Sequence, residues 1–175
     1  VGVARDKGVY SEEEYQTAIR ETKELVDNFQ TVIEESEAWY DRNRASIVNS
    51  DRLFVLGYGI DYGSMLEGML KVGEMLRLPT IGYEIEEYSH GPTMALKPTQ
   101  TLFMIGSDEA EFERMLQFRA AFKKYTDRVH VITCREIEGD SRDLVFGIKA
   151  NKFIAPLMYT VPFQFVAAKG AKEIF

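Results

Sequence analysis

Ionisable side chains between residues 66 and 92 have the types and the spacing to form an acid–base cluster. Lys71 and Glu74 are three residues apart, so on a helix they share one face, and Glu67 lies on that face too. His90 follows in the sequence EEYSHGP. Because histidine titrates near neutral pH, a loop that returned His90 to this face would create a site for proton transfer.

A purely structural interpretation exists for the same residues. Charged residues at this spacing ordinarily form a solvated, salt-bridged helix face, and a lone loop histidine is ordinarily exposed. The predicted helix over 65–77 carries apolar or small residues around most of its circumference, which favours a largely buried helix. A charged stripe on a buried helix requires a polar cavity or a partner. The other histidine, His130 in VHVIT, is expected to pack against a sheet with one ring nitrogen satisfied.

A glycine-rich turn, GYGIDYGS, leads into this helix. Its glycines do not match the dinucleotide-binding pattern G-x-G-x-x-G. A backbone-lined turn at a helix start can approach an anion or a sugar hydroxyl closely, so Gly57, Gly59 and Ser64 are candidate substrate-binding residues. Ser64 is also a candidate helix cap. The alternative is a tight strand-to-helix connection that binds no ligand.

From residue 51 to residue 175, short apolar strands alternate with helices, which predicts an α/β domain with a parallel sheet covered on both faces. Strands are predicted over 52–56, 80–85, 101–105, 129–134 and 144–148, and helices over 65–77, 108–125 and 153–169. The last helix contains Pro156 and Pro162, so we expect a break near Thr160. The predicted architecture is a three-layer αβα sandwich with a five-stranded parallel sheet.

Residues 1–50 are predicted to form a helical arm that packs on this domain or on a partner. Ser11 and Glu14 have the spacing of a capping box, and apolar residues recur every three or four positions over 15–33. A second, short helix is predicted over 37–47. The apolar stripe of the arm must be covered by its own sheet or by another subunit, which suits a homodimer or a higher homo-oligomer.

The composition excludes several functional classes. With 21 Lys and Arg against 28 Asp and Glu, the formal net charge of −7 argues against nucleic acid or an anionic membrane as the main partner. No apolar run reaches the roughly 18 residues that cross a bilayer, and no secretory signal is visible, so we expect a cytoplasmic location. One cysteine and two well-separated histidines predict no metal site, and Cys134 is expected to be an inert, packed thiol.

The helix and loop motifs resemble those of the SIS (sugar isomerase) family of phosphosugar-binding domains. The likeness is strongest to the second SIS domain of glucosamine-6-phosphate synthases and fructosamine-6-phosphate deglycases. The family motif E-G-x-L-K-x-x-E stands at residues 67–74, and E-x-x-H-G-P stands at residues 87–92. The glycine turn and the segment VPFQFVAA are also similar, so the resemblance covers about residues 53–169. It implies the flavodoxin-like SIS fold.

The resemblance also implies a role for each candidate residue. Glu74 would move a proton between C1 and C2 of a ketose or aldose 6-phosphate, His90 would assist ring opening, and Lys71 would support the glutamate or the open-chain oxygen. Glu67 and Glu87 would contact the substrate. This chemistry needs a partly buried carboxylate and donors for an enediol oxygen, and we expect no cofactor.

The same resemblance makes predictions about the whole site. Lys71 and Glu74 are expected near the sheet edge at which the strands end, with His90 at the same edge or in a partner's site. The Ser/Thr-rich phosphate loop of the family's first domain is absent, so the chain is expected to be the C-terminal half of a two-domain protein. A deglycase acting on a sugar-amine 6-phosphate and a non-catalytic phosphosugar sensor are open alternatives. Lys71 favours the isomerase over the deglycase.

Overall fold

The computed structural model describes residues 1–107 and 110–175 and has a five-stranded sheet at its centre. In chain order its elements are helices α1 (Gly2–Asp6), α2 (Glu12–Asp27) and α3 (Phe29–Val48), strand β1 (Leu53–Gly57), helix α4 (Tyr62–Leu76), strand β2 (Thr80–Glu84), helix α5 (Ile85–His90), strand β3 (Thr101–Ile105), helix α6 (Phe112–Phe122), strands β4 (Val129–Thr133) and β5 (Leu144–Val145), and helix α7 (Pro156–Ile174). Short 3-10 turns cover Gly59–Asp61 and Pro92–Ala95.

The sheet has the strand order β2-β1-β3-β4-β5, and every neighbouring pair is parallel. This confirms the predicted α/β architecture with five parallel strands. Strands β1, β3 and β4 are buried along their whole length, because helices cover both faces of the sheet. All strands end at one edge, the carboxyl edge, and all begin at the opposite edge, the amino edge.

Alternate residues of β1 point into two separate cores. Leu53 and Val55 join the core under helices α3, α4 and α7, whereas Phe54 and Leu56 join the core under α5 and α6. Helix α7 lies against both α3 and α4. Its contact with α4 is so close that a Cβ on Gly68 would lie 2.9 Å from the Phe163 ring. On the other side, the Tyr40 hydroxyl of α3 donates a hydrogen bond to Glu173 of α7 at 3.1 Å.

The N-terminal helices divide at a different residue from the one predicted. Helices α2 and α3 meet at Asn28, whereas the sequence predicted a break between residues 33 and 37. The Asn28 side-chain amide donates to the Glu24 carbonyl at 2.7 Å, so it satisfies a backbone group that the end of α2 leaves free. At the other end of α2, the capping box of Ser11 and Glu14 is confirmed.

Helix α7 continues without the break that was predicted near Thr160. Pro162 removes one backbone hydrogen bond, but its neighbours Val161 and Phe163 are buried in the core. Packing on both sides of the proline therefore keeps the helix together. Strands β4 and β5 are shorter than predicted, and the predicted helix start at Asp108 lies outside the described residues.

Residues 85–90, predicted as a strand end and a loop, form helix α5. The reason is local, because one carboxylate oxygen of Glu84 accepts hydrogen bonds from the backbone N–H groups of Glu86 at 2.8 Å and Glu87 at 3.1 Å. Within the described ranges, no helix is both long enough and apolar enough to cross a membrane.

The buried histidine and the single cysteine pack against the sheet, as predicted. His130 of β4 is fully buried, and its Nδ1 lies 2.7 Å from the Arg142 carbonyl oxygen. Burial lowers the pKa of His130 to about 3, so the ring is neutral at pH 7. Cys134 is buried, with Sγ 3.2 Å from the Tyr159 hydroxyl. In the part of the chain that the structure describes, no group of three or more His, Cys, Asp or Glu could hold a metal ion.

Candidate functional site

Helix α4 carries Glu67, Lys71 and Glu74 as one ion-paired stripe. The Lys71 Nζ atom lies 3.7 Å from Glu67 Oε1 and 3.7 Å from Glu74 Oε2. The side chains of Glu67, Lys71 and Glu74 are 42%, 39% and 55% exposed, so the two ion pairs are solvated and contribute little to stability. Solvation also leaves all three groups accessible to another molecule.

Helix α4 is less buried than predicted. Its inward face is small or apolar and includes Met65, Gly68, Val72 and Leu76. Leu66 and Leu70 are 43% and 46% exposed, so the prediction of a helix buried around most of its circumference is wrong. The two leucines are four residues apart and lie beside the charged stripe. Together they form an open surface that is part apolar and part charged.

Lys71 and Glu74 lie at the amino edge of the sheet, and the prediction that placed them at the carboxyl edge is wrong. Helix α4 starts at the carboxyl end of β1 and ends just before β2 begins. Its 15 residues extend over about 22 Å, which is enough to carry the last turn across the sheet. The turn that starts α4 lies at the carboxyl edge, but the length of the helix carries Lys71 and Glu74 to the opposite edge.

His90 lies at the carboxyl edge. It is the last residue of α5, which directly follows β2 and is fixed by the buried side chains of Ile85 and Tyr88. The His90 Nδ1 atom is 3.8 Å from Glu87 Oε1, and both side chains are 72% exposed. Strand β2 separates the two edges by about 13 Å, and α4 and α5 cover opposite faces of the sheet. His90 and Glu74 of one chain therefore do not meet.

The glycine turn between β1 and α4 is tight. Gly57 ends β1, and a Cβ there would lie 2.9 Å from the Asp61 carbonyl oxygen. Gly59 has a φ of +51°, in the region that favours glycine. Because α4 begins at Tyr62, Ser64 lies inside the first turn and does not cap the helix. Its hydroxyl is buried without a hydrogen-bond partner among the described residues. A substrate-binding role for this turn stays a prediction.

Asp61 and Ser107 form a buried pair at the carboxyl edge that the sequence analysis missed. They follow β1 and β3, respectively, and each is 0% exposed. The Ser107 backbone N–H donates to Asp61 Oδ2 at 2.6 Å, and the Ser107 hydroxyl donates to Asp61 Oδ1 at 2.7 Å. The available signal was topological, since polar residues that follow two neighbouring parallel strands converge at one edge of the sheet.

Comparison with known proteins gives one consistent family. The family model described as "SIS domain" matches residues 46–169. Glutamine--fructose-6-phosphate aminotransferase (isomerizing) of Chlorobaculum tepidum is 25% identical over 171 residues, which cover 95% of this chain and 28% of that protein. The chain therefore spans less than a third of the length of this curated relative.

Solved structures share the architecture. A Clostridium difficile protein provisionally named a phosphosugar isomerase superposes with a TM-score of 0.80 and 28% identity, over 98% of this chain and 48% of that one. The C-terminal domain of glucosamine-fructose-6-phosphate aminotransferase from Francisella tularensis superposes with a TM-score of 0.79 and 18% identity, over 98% of this chain and 49% of that one. In both cases the chain corresponds to about half of the solved chain.

Proposed function

Because the chain belongs to the SIS domain family, we propose that it supplies the proton-transfer half of a phosphosugar isomerase-type active site. The proposed substrate is a ketose or aldose 6-phosphate, and Glu74 carries a proton between C1 and C2. The printed names of two relatives support this class, one an isomerizing aminotransferase of fructose 6-phosphate and the other provisionally a phosphosugar isomerase. The activity is proposed for a longer protein, since the chain spans 28% of the first relative.

The observation that carries the proposal is the position of the Lys71 ammonium, 3.7 Å from both the Glu67 and the Glu74 carboxylates. An ammonium beside the base also lies near the oxygen on which negative charge develops during enolisation. Lysine has three N–H donors, so Lys71 can contact both glutamates and still donate to the substrate. At the other edge, the 3.8 Å separation between Glu87 Oε1 and His90 Nδ1 supports a role for Glu87 in orienting the imidazole.

The proposed reaction uses these groups in sequence. His90 gives a proton to the ring oxygen while a water molecule takes the proton of the anomeric hydroxyl, which opens the ring and forms the C2 carbonyl of the ketose. Glu74 then removes a proton from C1, the C1–H electron pair becomes the C1–C2 double bond, and Lys71 stabilises the oxyanion on C2. The proton on O1 passes to O2 as Glu74 delivers its proton to C2, and C1 becomes the aldehyde of the aldose.

The proposed site is shared between molecules. Glu74 and His90 of one chain lie at opposite edges of the sheet, so a complete site takes His90 from a second copy, in a homodimer or a higher homo-oligomer. The groups that bind the phosphate come from the rest of the longer protein. The exposed Leu66 and Leu70 provide an apolar contact beside Glu74 for the part that covers it.

Hydrogen exchange at C1 of fructose 6-phosphate tests this function. The full-length protein is incubated with the sugar phosphate in D2O, and the C1 proton signal is followed by NMR. We expect wild-type protein to replace this proton with deuterium. Glu74→Gln keeps the size of the side chain and removes the base, so exchange should fall at least about 100-fold while binding of the sugar phosphate is retained. Glu24→Gln, on the exposed surface of α2, is the matched control and should exchange at the wild-type rate.

The outcomes separate the open alternatives. A Glu74→Gln variant that exchanges at the wild-type rate contradicts the role of Glu74. Wild-type protein that binds the sugar phosphate without exchange favours the sensor. Release of the amine from a fructosamine 6-phosphate favours the deglycase over the isomerase.

A further inference from the structure

The carboxyl ends of β1 and β3 enclose the position at which a doubly wound sheet ordinarily binds its ligand. The strand order reverses here, because β2 lies on one side of β1 and β3 lies on the other. Helices that leave neighbouring strands in opposite directions open a crevice at this point. In this protein, the crevice contains the side chain of Asp61, which is fully buried.

Within the described ranges, Ser107 holds the Asp61 carboxylate through two short hydrogen bonds. The carboxylate oxygens accept from the Ser107 backbone N–H at 2.6 Å and from the Ser107 hydroxyl at 2.7 Å. An Asp immediately before a helix ordinarily caps it, yet Asp61 makes no side-chain hydrogen bond to the start of α4. The carboxylate therefore faces Ser107, across the crevice.

Three described backbone groups near Asp61 at the carboxyl edge also have side-chain partners within the chain. The Tyr58 hydroxyl donates to the Ser107 carbonyl at 3.3 Å. The Tyr159 hydroxyl donates to the Gly106 carbonyl at 3.2 Å and accepts from the Cys134 backbone N–H at 3.2 Å. The side chains of Tyr58, in the glycine turn, and Tyr159, in α7, thus occupy three backbone groups near Asp61 among the described residues.

A backbone N–H and a serine hydroxyl that point together at the end of a strand are donors suited to an anion. We propose that these two donors of Ser107 form an anion site whose permanent occupant is the carboxylate of Asp61. In the wild-type protein, the crevice is closed to the phosphate of a sugar phosphate. Once the Asp61 side chain is removed, the site accepts a small carboxylate from solution, such as formate.

Formate rescue of Asp61→Ala tests the proposal. Removal of the carboxylate leaves the Ser107 donors buried and unsatisfied, so the Tm should fall. Sodium formate should restore at least half of the lost Tm, whereas sodium chloride at the same ionic strength should not, because the site selects a planar carboxylate. In Asp61→Ala/Ser107→Ala, one donor is lost and the formate response should shrink. Equal responses to formate and chloride in Asp61→Ala overturn the proposal.

A measurement on wild-type protein covers the case in which Asp61→Ala does not fold. Titration with inorganic phosphate, followed by amide NMR, should leave the Ser107 signal unchanged. Movement of the Ser107 signal together with those of Gly57, Gly59 and Ser64 overturns the closed crevice and supports the sequence prediction of a substrate-binding site at the glycine turn. The inference is independent of the proposed function, because neither measurement depends on turnover or on Glu74.

Discussion

Acidification from pH 7.5 to pH 5.0 should destabilise this protein through His130. The imidazole is fully buried in β4, with the rings of Trp39 and Phe103 centred 5.6 and 5.4 Å away. Burial lowers the pKa of His130 to about 3, although the hydrogen bond to the Arg142 carbonyl acts in the opposite direction. An unfolded chain exposes the same side chain to water, where its pKa is about 6.5.

The sign and size of the effect follow from these two pKa values. Below pH 6.5 the unfolded chain takes up a proton at His130 and the folded chain does not, so the stability that neutral His130 contributes above pH 6.5 is lost as the pH falls. With a folded pKa of about 3, the free energy of unfolding at pH 5.0 is lower than at pH 7.5 by about 2 kcal/mol. The carboxyl groups of Glu14, Glu86 and Asp140 have lowered pKa values in the folded protein, so they affect the transition at lower pH.

Urea unfolding at pH 7.5, 6.0 and 5.0 measures this loss. The variant His130→Asn keeps an N–H donor for the Arg142 carbonyl and cannot take up a proton, so its stability should change little between pH 7.5 and pH 5.0. The other histidine, His90, is exposed, and His90→Asn should retain the wild-type pH dependence. Equal losses of stability in wild-type protein and in His130→Asn would refute the assignment.

The shared site and the packing of α4 give two further predictions. Glu74→Gln and His90→Asn variants of the full-length protein should each be inactive. When the two variants are unfolded and refolded together, about a quarter of wild-type activity should return, because half of the dimers are mixed and each mixed dimer has one intact site. No recovery contradicts a site shared between copies. Gly68→Ala should lower the free energy of unfolding by about 1–3 kcal/mol, because the new Cβ would lie 2.9 Å from the Phe163 ring. Gly63→Ala is the matched control on the same helix, where a Cβ meets nothing within 4 Å, and thermal unfolding should show no loss of stability.

Buried strands were the most predictable part of the fold. Strand β3 was predicted over its observed range, because an apolar run that ends at Gly106 has few alternatives to a buried strand. Helix α5 was missed, because Tyr83 and Ile85 continue the alternating pattern of β2 and Ile85 is already the first residue of the helix. The decisive interaction is the carboxylate of Glu84, which caps two backbone N–H groups. Whether residues 85–90 form a helix or continue the strand depends on the conformation of the Glu84 side chain, which a pattern of apolar residues does not reveal.

Some features of the candidate site follow from the local sequence, and others depend on residues that are far apart in the chain. The contacts of Lys71 with Glu67 and Glu74 follow from helical spacing, and the sequence predicted them. The edge at which Glu74 lies depends on where α4 ends, and the pair of Asp61 and Ser107 joins residues 46 positions apart. Neither can be read from a local pattern, because strand order and helix length decide which residues meet.

The contact between α3 and α7 also affects how the chain folds while it is being synthesised. Tyr40 and Glu173 are 133 positions apart, so α3 leaves the ribosome long before the helix that covers it has been made. At the usual speeds of protein synthesis, the delay is roughly 7 to 27 s. During this interval Val32, Trp39 and Ile47, which are fully buried in the finished domain, lack part of their cover. Until α7 emerges, the nascent α3 therefore exposes apolar surface that the finished domain buries.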